Sequence, residues 1–86
     1  MYIVIISTYE RNENDYRKTY QGRINKKFSS KENARVVINK LFKEQIETSR
    51  LGIYKIIKNE SDELIVDIYS PSMKIYTTYC YKIVEE

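Results

Sequence analysis

The 86 residues hold 15 Lys and Arg against 12 Asp and Glu, a formal charge of +3 that is modest for a dedicated nucleic-acid binder. Hydrophobic content of 42% beside 31% charged residues excludes a disordered chain and fits one domain, residues 1–86, near the lower size at which a core holds without disulfides or metals. His is absent, which removes the commonest general base and metal ligand, and a single Cys excludes an internal disulfide. No apolar run approaches the ~20 residues of a membrane helix. The opening MYIVIIS has neither a basic n-region nor a small-residue cleavage site. These features lead to the expectation of a soluble, cytoplasmic protein with no membrane partner.

In chain order, YIVIISTY at 2–9 is a β-branched and aromatic run of strand length, apolar on both faces. The polar ERNEND at 10–15 reads as a turn. YRKTYQGRINKKF at 16–28 reads as a second strand with Tyr16, Tyr20, Ile24 and Phe28 on one alternating face and a bend at Gly22. The period then changes to that of a helix. Ala34, Val37, Ile38, Leu41, Phe42 and Ile46 form the apolar stripe, and Arg35, Asn39, Lys40, Lys43 and Glu47 fall opposite. Ser29 with Glu32 has the capping-box spacing, which sets the helix at about 29–48, with a break at 48–50 and Gly52. LGIYKIIK, ELIVDIYS and MKIYTTYCYKIV supply three further strands, separated by NESD at 59–62 and by Ser70-Pro71-Ser72. The expected fold is α+β, order ββαβββ, an antiparallel sheet with one main amphipathic helix on one face.

The facing of the last three strands follows from two trial registers. A two-residue loop at Pro71 and Ser72 sets Ile68 opposite Ile75, Val66 opposite Thr77 and Leu64 opposite Tyr79. Pairing Lys58 with Glu63 sets Ile57 opposite Leu64 and Ile53 opposite Ile68. The face so built belongs under the helix, together with Tyr79, Tyr81 and Ile83. The other face then carries Tyr54, Ile56, Ile65, Tyr69, Tyr76 and Cys80, with Lys58, Asp67 and Lys74 among them. One helix cannot cover both faces of a sheet, so Tyr54, Ile56, Ile65, Tyr69 and Tyr76 are the candidate partner-binding surface. Two other arrangements also hide this face: curling of the strands into a partial barrel, and a face-to-face homodimer.

Chemistry-bearing motifs are absent. Gly22 and Gly52 stand alone, so no glycine-rich phosphate loop exists. Cys80 on a strand reads as a packing residue, and the acidic run Glu60, Asp62, Glu63 and Asp67 as a solvated hairpin. The expectation is no catalytic residue, no metal and no cofactor, and therefore no enzyme. Charge is segregated: Arg17, Lys18, Arg23, Lys26, Lys27, Lys31 and Arg35 face a single Glu32 between residues 17 and 35. Interleaved with Tyr16, Tyr20 and Phe28, these cations fit a strand that binds DNA, RNA or an acidic partner. They equally fit an edge strand protected by lysines. Sequestration of a small ligand by an oligomer is a third reading, because such contacts leave no motif.

Lys, Ile, Asn and Tyr supply 38 of the residues, whereas Ala and Pro occur once each and Gly twice. That bias is the mark of an AT-rich genome. In this general character the chain resembles the small accessory proteins of phages and mobile elements of AT-rich bacteria, among them anti-defence proteins such as anti-CRISPRs. The resemblance implies an inhibitor that docks on a host protein, such as a CRISPR effector, and blocks it.

Overall fold

Strand-forming and helix-forming patterns fall where the sequence places them. A computed structural model describes residues 1–12, 14–48, 53–69 and 76–86. Its elements are β1 (Tyr2–Arg11), β2 (Tyr16–Arg23), α1 (Lys31–Thr48), β3 (Tyr54–Glu60), β4 (Glu63–Tyr69) and β5 (Tyr76–Glu85). They form one antiparallel sheet in the spatial order β2-β1-β5-β4-β3, with the helix packed against it. The apolar run β1 pairs along its whole length with β5, from Tyr2 opposite Glu85 to Arg11 opposite Tyr76. The two most distant strands of the sequence thus lie side by side within the sheet.

The helix buries its predicted stripe. Ala34 and Ile38 are fully buried, Val37, Leu41 and Phe42 pack around them, and Val36, off the stripe, is 66% exposed. Its cap lies one residue beyond the expected position. Ser30 Oγ accepts from the Asn33 backbone N–H at 3.1 Å, and the Ala34 N–H donates to the Ser30 carbonyl. Ser29 instead accepts from the Asn33 side-chain amide at 3.2 Å. The Ser29–Glu32 capping box therefore gives way to a Ser30 cap, with Glu32 left in the first turn, where an acid favours the helix dipole.

Beneath the helix lie Val4, Phe28, Leu64, Val66, Ile68, Tyr81 and Ile83, with Tyr2, Ile6, Ile24 and Tyr79 around them. The β4–β5 register sets Leu64 opposite Tyr81, Val66 opposite Tyr79 and Ile68 opposite Thr77. It differs from the expected pairing by two residues, an even slip that leaves every side chain on its expected face. Tyr79, Tyr81 and Ile83 accordingly point under the helix. The proposed loop at Pro71 and Ser72, with Lys74 and Ile75, lies outside the described residues.

At β3 the slip is odd. Ser61 and Asp62 form a two-residue turn, so Glu60 lies opposite Glu63 rather than Lys58, and a bulge at Ile57 follows. Tyr54 now opposes Ile68 and Ile56 opposes Val66, which moves both to the helix side of the sheet. Tyr54 meets the Phe42 ring edge-on at 5.6 Å between centroids. Ile57, expected under the helix, turns to the other face. The Lys58–Glu63 attraction survives without direct opposition: Lys58 Nζ lies 2.6 Å from Glu63 and 3.6 Å from Glu60. It bridges two like charges that would otherwise repel across the turn.

A second bulge, at Thr19, separates Thr8 opposite Tyr20 from Tyr9 opposite Lys18. It moves Tyr16 off the face it was expected to share with Tyr20, Ile24 and Phe28. Gly22 stays in the ladder opposite Ile6, so the irregularity is at Thr19 and not at the glycine. The Tyr20 ring lies where a Cβ on residue 22 would stand. β2 ends at Arg23, the Ile24 N–H still donates to the Val4 carbonyl at 3.0 Å, and the chain meets β1 again where Phe28 and Tyr2 exchange two backbone hydrogen bonds of 2.8 Å each.

Candidate functional site

The face turned away from the helix is concave. Tyr16 from one edge strand and Ile57 from the other line a single hollow of about 410 Å³, together with Tyr9, Arg11, Ile65, Asp67, Thr78 and Cys80. The curling foreseen as an alternative is thus half realised. The sheet bends around this face, but β2 and β3 remain unpaired edges. Ile3, Asp67 and Thr78 are buried there, 8%, 7% and 3% exposed, although among the described residues the helix packs on the opposite face. Asp67 is held in the floor by Thr78, whose Oγ1 donates to Oδ1 at 2.6 Å.

Across one end of this face runs a row of rings and cations. Lys18 lies 5.6 Å from the Tyr9 ring, which stacks on Tyr16 at 5.2 Å with planes 5° apart. The Arg11 guanidinium sits 4.4 Å from the centre of the Tyr16 ring and 5.9 Å from that of Tyr76, and Tyr76 packs on Tyr69 at 5.1 Å. The row crosses β2, β1, β5 and β4 in turn. Register explains it: Arg11 lies opposite both Tyr16 and Tyr76, and Tyr69 opposite Tyr76. Each ring is fixed by its neighbours, so little side-chain freedom remains to be lost on binding.

Arg11 has one unmet demand. Among the described residues its Nε is buried with no hydrogen-bond partner, a condition that costs about 1–3 kcal/mol. Among the described residues no ion pair joins Arg11 to Asp67. Hydrogen bonds with Tyr76, and secondarily with Tyr16, raise the guanidinium pKa further. The nearby Cys80 thiol is pushed up by burial first, then by Glu63, against a smaller lowering by Arg11. It stays protonated at neutral pH and is a poor nucleophile. Among the described residues no group of three or more His, Cys, Asp or Glu side chains converges to hold a metal ion.

The five residues expected to form one patch divide. Ile65, Tyr69 and Tyr76 lie on the concave face, half-buried, whereas Tyr54 and Ile56, 45% and 44% exposed, lie along the β3 edge on the helix side. The seven basic residues do not form one free surface. Arg17 pairs with Glu10 at 3.7 Å, and Arg23 and Lys27 both reach Glu86, at 3.6 and 3.1 Å. Lys27 is the main cause of the lowered Glu86 pKa. Arg35 ties the helix to β3 through Asn59, at 2.6 Å, and the Glu60 carbonyl. Lys26 lies over the Phe28 ring at 5.6 Å, Lys31 stands exposed at the helix start, and only Lys18 joins the aromatic row.

Sequence reasoning missed Tyr9 and Arg11, and it set Tyr16 with the basic strand rather than with Tyr69 and Tyr76. Arg11 lies opposite Tyr16 across the polar run that reads as a turn, so that part of the signal was present in the sequence. The β1–β5 pairing that brings Tyr76 beside them had no local signal. No helix among the described residues is long and apolar enough to cross a membrane. No protein-family profile matches the chain, and no curated protein or solved structure matches it.

Proposed function

We propose that this chain is a non-enzymatic binding protein that docks on a partner protein through the concave, helix-free face of its sheet. The observation that carries the reading is the row Lys18–Tyr9–Tyr16–Arg11–Tyr76–Tyr69. Tyr and Arg are the residue types that dominate interface energetics, and here they are pre-ordered beside a hollow. The resemblance to small anti-defence proteins makes a bacterial defence effector the first class of partner to test, with blocking of that effector as the outcome.

The test is retention of a partner from a lysate of the encoding organism, treated with nuclease. The reading expects a protein held by the wild-type chain after nuclease and lost with Tyr76→Ala or Tyr69→Ala, each worth ~2 kcal/mol or more of binding. Retention that depends on nucleic acid, or is indifferent to both substitutions, contradicts it. Self-association through the same face would appear as a concentration-dependent sedimentation coefficient that Tyr76→Ala abolishes.

A further inference from the structure

We propose that the partner presents an acidic segment, one carboxylate of which enters the hollow and pairs with the Arg11 guanidinium. This rests on the docking function above and adds the partner's chemistry. The guanidinium is held in orientation by Tyr16 and Tyr76, and among the described residues its buried Nε–H has no acceptor. A planar fork of N–H donors fixed in place is the geometry a carboxylate matches best. Asp67, the carboxylate already in the floor, is engaged by Thr78 and forms no ion pair with Arg11.

The surrounding charge favours the same occupant. By register Lys18, Lys55 and Lys82 share this face, and among the described residues none of the three is in an ion pair. Of the acids on the face, Glu63 is already taken by Lys58. The concave face therefore offers a net positive rim around an unfilled donor, the complement of an acidic protein surface.

A nucleic acid fits less well. The Tyr16 ring is engaged by both Tyr9 and Arg11, and Tyr69 and Tyr76 pack on each other, so the rings present edges and hydroxyls more than free faces for base stacking.

The experiment follows the side-chain Nε–Hε signal of Arg11 and the backbone amides of Thr78 and Cys80 by NMR during titration. Three probes are used: a blocked peptide of Glu and Gly, the same peptide with Gln for Glu, and single-stranded oligothymidylate. The Glu peptide is expected to move all three signals and the Gln peptide none. Arg11→Lys, which keeps the charge and removes Nε–H, should weaken Glu-peptide binding at least about tenfold. Lys82→Glu should weaken it as well, whereas the same charge change on the helix, Lys43→Glu, should not. Equal shifts with the Gln peptide, tighter binding of the oligonucleotide, or no shift with the Glu peptide would overturn the inference. The two proposals fail separately. If a captured protein is lost with Tyr76→Ala but binds Arg11→Lys and Lys82→Glu undiminished, the docking function stands and the acidic partner does not.

Discussion

Tyr81 is 3% exposed under the helix, and burial, with a smaller contribution from Tyr79, pushes its phenol from 10.0 up to about 12. A phenol with a raised folded pKa keeps its proton longer in the folded chain than in the unfolded one. Its contribution to stability is complete below pH 10.0 and is lost as the pH climbs through about 12. Denaturant midpoints measured across that window should fall with pH, and Tyr81→Phe should flatten the fall while leaving neutral-pH stability within about 1 kcal/mol. The helix cap gives a second test at this scale. Ser30→Ala should cost about 1 kcal/mol of stability and Ser29→Ala clearly less, because only Ser30 Oγ accepts a backbone N–H of the first turn. The inward facing of Tyr79, Tyr81 and Ile83 was legible because strict alternation survives an even slip of register. The cap was misplaced because Ser29 and Ser30 are adjacent and chemically equivalent, and spacing to Glu32 favoured the wrong one.

Among the elements, the helix was legible in its docking face, since a stripe of 3.6-residue period admits only one. Its energetic centre lies at Ile38, fully buried, rather than at Leu41, which packs against the core while remaining half-exposed. Ile38→Ala should destabilise by about 2–5 kcal/mol, Leu41→Ala by less, and Val36→Ala by no more than about 0.5 kcal/mol in denaturant unfolding. β3 was legible as a strand but not as to its facing. Ile53, Tyr54, Ile56 and Ile57 put apolar groups on both alternating faces, so hydrophobic pattern could not choose between registers one residue apart. The bulge at Ile57 decided it: closing the turn at Ser61–Asp62 shifts the register by two and keeps the facing, and the one extra residue at the bulge reverses it for Tyr54 and Ile56. Nuclear Overhauser contacts from the Tyr54 ring should lead to Phe42 and not to Ile65 or Cys80. Contacts to Ile65 or Cys80 would restore the register with Tyr54 on the concave face.

At the scale of the whole molecule, one helix and five strands leave a face that must be covered, filled or offered. Here the sheet bends around it, fills part of it with Asp67, Thr78 and Ile3, and leaves a tyrosine–arginine row along one end. The sequence allowed the uncovered face to be inferred by counting elements, and three of its residues, Ile65, Tyr69 and Tyr76, were placed on it. The other half of the row, Tyr9, Arg11 and Tyr16, comes from the pairing of β1 with β2, and its junction with Tyr76 depends on β1 lying between β2 and β5, a long-range arrangement that no local spacing encodes. The most direct measurement is cross-saturation NMR of the labelled chain bound to its captured partner. Amides of Tyr9, Arg11, Tyr16, Tyr69 and Tyr76 should lose intensity on saturation of the partner, while those of the helix from Glu32 to Glu47 keep theirs. Loss confined to the helix or to the β3 edge at Tyr54 and Ile56 would contradict the assignment of the concave face as the docking surface.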